Sequence, residues 1–237
     1  MASYDTFGKF YDAVMGDRAE ATECLRAFIR KECPEAKTIL ELGCGTGSVL
    51  MHLAKDYEVC GLDQSKKMLS VARKKVPQAR LFRQDMVRFN LPEKFDVICC
   101  VFDSINHVLS FAGWKELFAS VFRHLSDGGV FIFDINTQKK LNRHIAEHAW
   151  VHQFGNNLLV LKVSDAPKHV SNWNIRVFEH TKGNRYLLRE ENIQEASFPK
   201  DKIVGALKVH FRSIKIIDTD RSRPSLESER LYFLCKK

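Results

Sequence analysis

Short apolar runs of β character alternate with helical patterns through the first two-thirds of the chain, as in a parallel sheet covered by helices. The runs Thr38–Leu42, Glu58–Leu62, Arg80–Phe82, Phe95–Val101 and Val130–Asp134 predict strands. Between them, helical spacing predicts helices over Gly47–Lys55, Ser65–Lys75 and Phe111–Leu125, with two more at Phe7–Met15 and Ala19–Lys31 before the first strand. Ser110 is placed to cap the third of these helices, and Asp127-Gly128-Gly129 supplies the turn that ends it. After about Trp150 the apolar period becomes 2, over Leu158–Val163, Asn172–Glu179 and Arg185–Ile193, broken at Ala166-Pro167-Lys168 and Lys182-Gly183-Asn184. Such a meander is antiparallel and reads as a lid on the α/β core. A helix over Lys200–Val209 and a strand pair, Phe211–Asp218 and Arg230–Cys235, complete the pattern, with the polar stretch Thr219–Glu229 as a loop between them.

Composition narrows the class. The chain has 237 residues, 45% of them apolar, too many for a solvated disordered chain, and the length suits one large domain or a domain with an appendage. A core of this size needs no disulfide or metal staple. The longest apolar run, Val97 to Phe102, is far short of the roughly 20 residues that span a bilayer, so no membrane partner is expected. Residues 1–7 show neither a basic leader nor an apolar h-region, and the seven cysteines (24, 33, 44, 60, 99, 100, 235) are odd in number without metal-ligand spacing. A cytoplasmic location is therefore expected, with the thiols serving as small apolar residues. Lys and Arg number 37 against 29 Asp and Glu, a net charge of +8, and the excess leans C-terminal, with ten against five over residues 199–237. No block of five like charges occurs, so a solvated face is favoured over a nucleic-acid stripe.

The most informative stretch is Ile39-Leu-Glu-Leu-Gly-Cys-Gly-Thr-Gly47, an apolar strand that runs into three alternating glycines and then a helix. Glycines at that junction let the chain turn sharply and let a ligand rest on bare main chain near a helix N-terminus. Asp63, 20 residues past Gly43 at the end of the second strand, can accept both hydroxyls of an adenosine ribose. A dinucleotide fingerprint reads G-x-G-x-x-G, but here Ser48 holds the last position and Gly47 comes one residue early, which disfavours NAD.

At these residues the chain resembles the class I S-adenosylmethionine-dependent methyltransferases, whose first motif reads E/D-x-G-x-G-x-G. The likeness continues in order through Gly61-Leu-Asp-Gln-Ser-Lys-Lys-Met-Leu69, Gln84-Asp-Met86, Phe95 to Ser104 and Leu125 to Asp134. Its finer grain is similar to small-molecule enzymes such as sugar N,N-dimethyltransferases, through Tyr11-Asp12, Phe102-Asp-Ser-Ile-Asn-His107 and the insertion over residues 150–196. The resemblance implies a Rossmann-like, seven-stranded, mostly parallel sheet with helices on both faces and an antiparallel β insertion after strand five. Residues 1–149 and 197–237 would form the cofactor-binding core, and residues 150–196 the lid.

The resemblance also assigns roles. Glu41 and the backbone of Gly43, Cys44, Gly45 and Gly47 would face the methionine portion of S-adenosylmethionine. Asp63 would hold the ribose, flanked by Gln64 and Met68, although Met68 equally suits the core of its helix. Asp85 and Met86 would line the adenine, the alternative for Asp85 being a turn. Tyr11 and Phe102 would complete the cofactor site, with Tyr4 as a further aromatic. His107, a base of reference pKa near 6.5, would take a proton at the methyl-bearing end, and Asp103 would orient the acceptor beside Asn106. The alternative for His107 is a loop histidine that caps carbonyls. Trp150, Trp173 and Tyr186 would line an acceptor pocket or pack lid on core. Asp103, Asp134 and Asn136 loosely resemble a catechol-type metal set in the wrong context, so no metal is expected. The implied activity is methyl transfer to a nitrogen or oxygen of a small molecule, with release of S-adenosylhomocysteine, by a monomer or homodimer. The alternatives are an RNA or protein acceptor, for which strand four lacks the Asn/Asp-Pro-Pro-Tyr/Phe signature, and a non-catalytic cofactor-binding module of the same fold.

Overall fold

The computed structural model describes Tyr4, residues 6–167 and residues 170–237, so residues 1–3, Asp5, Lys168 and His169 lie outside the described residues, and with them the Lys168 of the expected break at Ala166-Pro167-Lys168. Strands β1 (Thr38–Leu42), β2 (Glu58–Asp63), β3 (Arg80–Arg83), β4 (Phe95–Cys100) and β5 (Leu125–Asn136) are parallel. Strands β10 (Ser213–Ile217) and β11 (Arg230–Lys236) add an antiparallel edge, giving a seven-stranded sheet in the order β10-β11-β5-β4-β1-β2-β3. This is the predicted mostly parallel sheet. Because both faces are covered, the strands are apolar on both sides: Ile39, Val97 and Val130 face one layer while Leu40, Ile98 and Phe131 face the other. Helices α2 (Ala19–Glu32), α3 (Ser48–Leu53) and α4 (Lys66–Lys75) cover the first face through Leu25, Ile29, Leu50 and Leu69. Helices α5 (Phe111–His124) and α7 (Lys200–Leu207) cover the second through Trp114, Leu117, Ile203 and Leu207. Ser110 caps α5 as expected, its Oγ accepting from the Gly113 amide at 3.1 Å. All seven cysteines are free, and five of them are buried among apolar neighbours.

Two sequence expectations need correction. Asp127-Gly128-Gly129 does not end a helix before the strand. Strand β5 begins at Leu125, and residues 126–129 form a bulge against β4, with Gly128 at φ +75°. The sequence reading also missed helix α6 (Gln138–Ala146) and strand β6 (Trp150–Phe154).

Strand β6 pairs with β7 (Asn157–Ala166), β8 (Val170–His180) and β9 (Tyr186–Ala196) in a separate antiparallel sheet, the lid. Its inner face, Phe154, Leu159, Ile175 and Ile193, packs on Phe7 and Phe10, next to the short helix α1 (Tyr11–Met15). The end of β9 is clasped to the core by Asn106, which is fully buried. Its Nδ2 donates to the carbonyls of Asn136 and Ala196, each at 2.9 Å, and its Oδ1 accepts from the Asn136 amide at 3.0 Å. Strand order reverses at β1, between β2 and β4, so a crevice opens at the carboxyl ends of these strands. Among the described residues, no helix is long and apolar enough to cross a membrane.

Candidate active site

The loop from β1 into α3 forms the floor of that crevice. Gly43 has φ +70°, and a Cβ there would lie 3.0 Å from the Ser104 side chain and 3.2 Å from Met86 Cε. Only glycine suits both the left-handed backbone and the close wall. The amides of Gly43 and Cys44 donate to the Leu62 carbonyl at 2.7 and 3.0 Å, which ties the loop to the end of β2. There Asp63 accepts from the Gly45 amide through Oδ2 at 2.9 Å and from the Ser65 amide through Oδ1 at 2.8 Å. Burial raises its pKa and these amides oppose the rise.

Above the floor lies a cavity lined by Tyr11, Gly43, Gly45, Asp63, Gln64, Met68, Met86, Phe102 and His107 from the sequence expectations, and by Tyr4, Leu62, Gln84 and Ser104 in addition. Glu41 and Cys44 line a narrower cleft behind the loop, together with Arg18. The Glu41 carboxylate is 4% exposed, its Oε2 has no partner, and burial holds its pKa well above the usual carboxylate range, with Asp63 adding to the rise. Two expected residues are not in the lining. Gly47 caps α3 at φ +76°, and its missing side chain admits Ala72, whose Cβ a Gly47 Cβ would meet at 3.1 Å. Asp85 accepts from the Val87 amide through Oδ1 at 2.8 Å, as a turn carboxylate does.

A second chamber, of about 280 Å³, lies between the crevice and the lid and shares Tyr4, Tyr11 and Phe102 with the first cavity. Trp150 and Trp173 line it, whereas Tyr186 lies elsewhere, against His180. Its polar wall is Arg18, Asp103, Asn136, Lys140, His144, Glu195 and Arg230. Asp103 was expected near the acceptor and is here, with its Oδ1 held by Arg230 at 2.6 Å. Arg230 also pairs with Asp134, which is fully buried, at 3.2 Å. A guanidinium therefore stands among the carboxylates that loosely resembled a metal set, and burial pushes the Asp134 carboxyl up to about 6 against the Arg230 field.

His107 lines the first cavity and is engaged at both ring nitrogens. Its Nδ1 lies 3.0 Å from the Gln194 carbonyl, which can only accept, so Nδ1 carries the hydrogen and Nε2 accepts from the Tyr4 hydroxyl at 3.0 Å. Both nitrogens are engaged and burial lowers the pKa, so the imidazole is a neutral clasp that joins the N-terminal segment, the loop after β4 and the lid. The chamber residues Arg18, Lys140, Glu195 and Arg230 were missed. Arg230 carried the one available signal, a charge opening the apolar strand Arg230–Lys236.

Comparison with known proteins gives a consistent result. Residues 39–129 match the model of a methyltransferase domain. The chain is 30% identical over 246 residues to the putative methyltransferase YqeM of Bacillus subtilis (strain 168), covering 99% of this chain and 97% of that one. It is 33% identical over 131 residues to the dTDP-3-amino-3,4,6-trideoxy-alpha-D-glucopyranose N,N-dimethyltransferase of Streptomyces venezuelae, covering 55% of each. Among solved structures it is similar to an S-adenosylmethionine-dependent methyltransferase from Clostridium acetobutylicum ATCC 824, with a TM-score of 0.83, 27% identity and 98% of both chains covered.

Proposed function

The chain belongs to the S-adenosylmethionine-dependent methyltransferases, and from that footing we propose that it methylates a nitrogen or oxygen of a small molecule and releases S-adenosylhomocysteine. The observation that carries this reading is the second chamber, walled on one side by the antiparallel sheet and sharing Tyr4, Tyr11 and Phe102 with the cofactor crevice. Its size suits a small acceptor.

The residues present fit the cofactor. Gly45 leaves open space beside the main chain at the floor of the cavity, Gly43 lets Ser104 and Met86 pack against the loop there, and Asp63 retains lone pairs for ribose hydroxyls beyond the two amides it binds. The unpartnered Glu41 Oε2 is an acceptor suited to an ammonium group, whose charge would return the carboxylate towards its ordinary pKa. Bound there, the cofactor supplies a methyl group on a sulfonium that is already an excellent leaving group. What remains for the protein is alignment, exclusion of water and removal of a proton, and alignment alone is worth up to about 7–11 kcal/mol. His107 ties Tyr4 to strand β9 at the wall of the cofactor cavity, and Asp103 offers its second carboxylate oxygen to the acceptor. Met68, Met86 and Gln64 frame the adenine end.

Calorimetric titration with S-adenosylmethionine and S-adenosylhomocysteine, with NAD as control, tests the cofactor site. Micromolar binding by the wild type that Asp63→Ala weakens at least tenfold is the expected result. Binding indifferent to Asp63 would refute the placement of the ribose. Methyl uptake by a panel of amines and hydroxylated compounds, but not by RNA or protein, tests the acceptor class.

A further inference from the structure

One corner of the acceptor chamber is built to receive hydrogens. Asn136, at the end of β5 and 2% exposed, donates from Nδ2 to Glu195 Oε2 at 3.1 Å, and Glu195, on β9 of the lid, is 3% exposed. With Glu195 ionised, that bond fixes the amide's orientation, since the reverse would set Oδ1 against a carboxylate. Asn136 Oδ1 is thus a buried acceptor, and it has no partner in the protein. Both residues are held in place: Asn106 clasps the main chain of Asn136 and Ala196, and Ser197 Oγ donates to the Asn136 carbonyl at 2.8 Å. Beside the ionised Glu195, a single ligand atom that serves both the amide oxygen and the carboxylate must carry two hydrogens, which an amine nitrogen does and a hydroxyl does not.

We propose that Glu195 and Asn136 form the docking corner for an acceptor amine, and that Glu195 takes the proton an incoming ammonium must lose before its nitrogen can be methylated. This rests on the small-molecule methyltransferase reading above and narrows it to nitrogen. In the step, an N–H bond of the ammonium breaks and its electron pair stays on nitrogen as the lone pair. The proton forms an O–H bond on Glu195, so ammonium and carboxylate become amine and carboxylic acid with no co-reactant. The acid returns its proton to solvent when the chamber opens.

The charged groups that face Glu195 are Asp103, Lys140 and Arg230. Arg230 is engaged by Asp103 and Asp134, and Lys140 on α6 has its own pKa lowered by burial. Burial dominates at Glu195 and pushes its pKa up to about 8, with the Asp103 charge adding to the rise and Asn136, Lys140 and Arg230 opposing it. Only the ionised fraction can take the proton, and at that value it rises from about a tenth at pH 7 to about nine-tenths at pH 9. His107 is not among the residues that line the chamber, and its Nε2 is taken by the Tyr4 hydroxyl.

The test uses protein saturated with S-adenosylhomocysteine and the isosteric probes cyclohexylamine and cyclohexanol, titrated by calorimetry. Cyclohexylamine should bind at least tenfold more tightly than cyclohexanol. Glu195→Gln should reduce the amine affinity at least tenfold and leave S-adenosylhomocysteine affinity unchanged, since Glu195 is outside the cofactor cavity. In the wild type, amine affinity should rise about tenfold between pH 7 and 9, as Glu195 ionises while the probe, an amine of pKa about 10, stays protonated. Equal binding of the two probes, or amine binding that survives Glu195→Gln, would overturn the inference alone. Failure of the wild type to bind S-adenosylhomocysteine would overturn the methyltransferase reading beneath it. If Glu195→Gln does not fold, the wild-type pH dependence decides, and a flat profile overturns the inference.

Discussion

Arg230 is the only cation paired with Asp134 among the described residues, and replacing it by methionine should destabilise the fold in a way that depends on pH. The two side chains are 3.2 Å apart, with Asp134 fully buried and Arg230 23% exposed. At an effective dielectric constant of 20 their Coulomb attraction is about 5 kcal/mol, and removing one partner of such a pair typically costs about 3–5 kcal/mol. The pH dependence follows from Asp134, whose pKa stands at about 6 against an ordinary 3.8. A carboxyl raised in this way favours folding when protonated. Its contribution is fully present below pH 3.8 and is lost as pH rises through about 6, a difference of about 3 kcal/mol. Without the guanidinium the carboxyl would stay protonated to still higher pH. The wild type stops losing stability once Asp134 ionises beside Arg230 near pH 6, whereas Arg230→Met goes on losing it up to pH 7.5. The destabilisation should therefore be larger at pH 7.5 than at pH 5 by about 2 kcal/mol. Urea denaturation of both proteins at the two pH values measures this, because groups common to both cancel. The double variant Arg230→Met/Asp134→Asn should recover most of the pH-dependent part. A loss equal at both pH values would show that packing, and not the ion pair, is what Arg230 contributes.

Three further outcomes are expected. Gly43→Ala should cost about 2–4 kcal/mol, combining about 1–2 for a side chain at positive φ with the crowding of Ser104 and Met86, and should lower S-adenosylhomocysteine affinity at least tenfold by calorimetry. A fully active, equally stable variant would be incompatible with a bare floor. Asn106→Ala removes three buried hydrogen bonds and should cost about 3 kcal/mol in urea, with faster amide exchange at the end of β9 than in the seven-stranded sheet. Uniform protection across the molecule would contradict its role as the clasp of the lid. Asp103→Asn removes a charge that raises both Glu195 and Asp134, so the pH at which amine affinity rises should fall below the wild-type value of about 8. An upward shift would mean that Asp103 acts mainly by restraining Arg230.

The cofactor floor was legible in the sequence because it is nearly local. Gly43, Gly45 and Asp63 are joined through one strand pair, β1 and β2, and their chemistry needs glycine at a turn and a carboxylate at a strand end. Gly47 and Asp85 sit in the same motifs but serve helix packing and a turn, and motif spacing does not separate a residue that faces a ligand from one that shapes the backbone beside it. Helix α6 was missed because Leu141 is its only buried residue, which leaves no apolar stripe to read. Strand β6 was missed because Trp150 and Val151 are consecutive and both exposed, contrary to the alternation of a half-buried strand. Of the acceptor chamber, Asp103, Trp150 and Trp173 were legible, whereas Arg18, Lys140, Glu195 and Arg230 were not, because they come from four separate segments and each reads alone as an ordinary surface charge.

The wall between cofactor cavity and acceptor chamber connects these features. Phe102 and Asp103 are consecutive residues at φ +57° and +54°, a conformation that costs a non-glycine residue about 1–3 kcal/mol. Such strain persists only where the surroundings enforce it. Here Arg18 lies 4.3 Å over the Phe102 ring, Arg230 holds the Asp103 carboxylate, and Asp134 Oδ2 accepts from the Asp103 amide at 3.2 Å. The strained pair thus presents the aromatic ring to both spaces and the carboxylate to the chamber alone. The Arg230 and Asp134 pair, costly to bury, is what maintains this arrangement. The charge cluster is therefore better understood as the support of the partition between two ligand spaces than as a contribution to stability for its own sake.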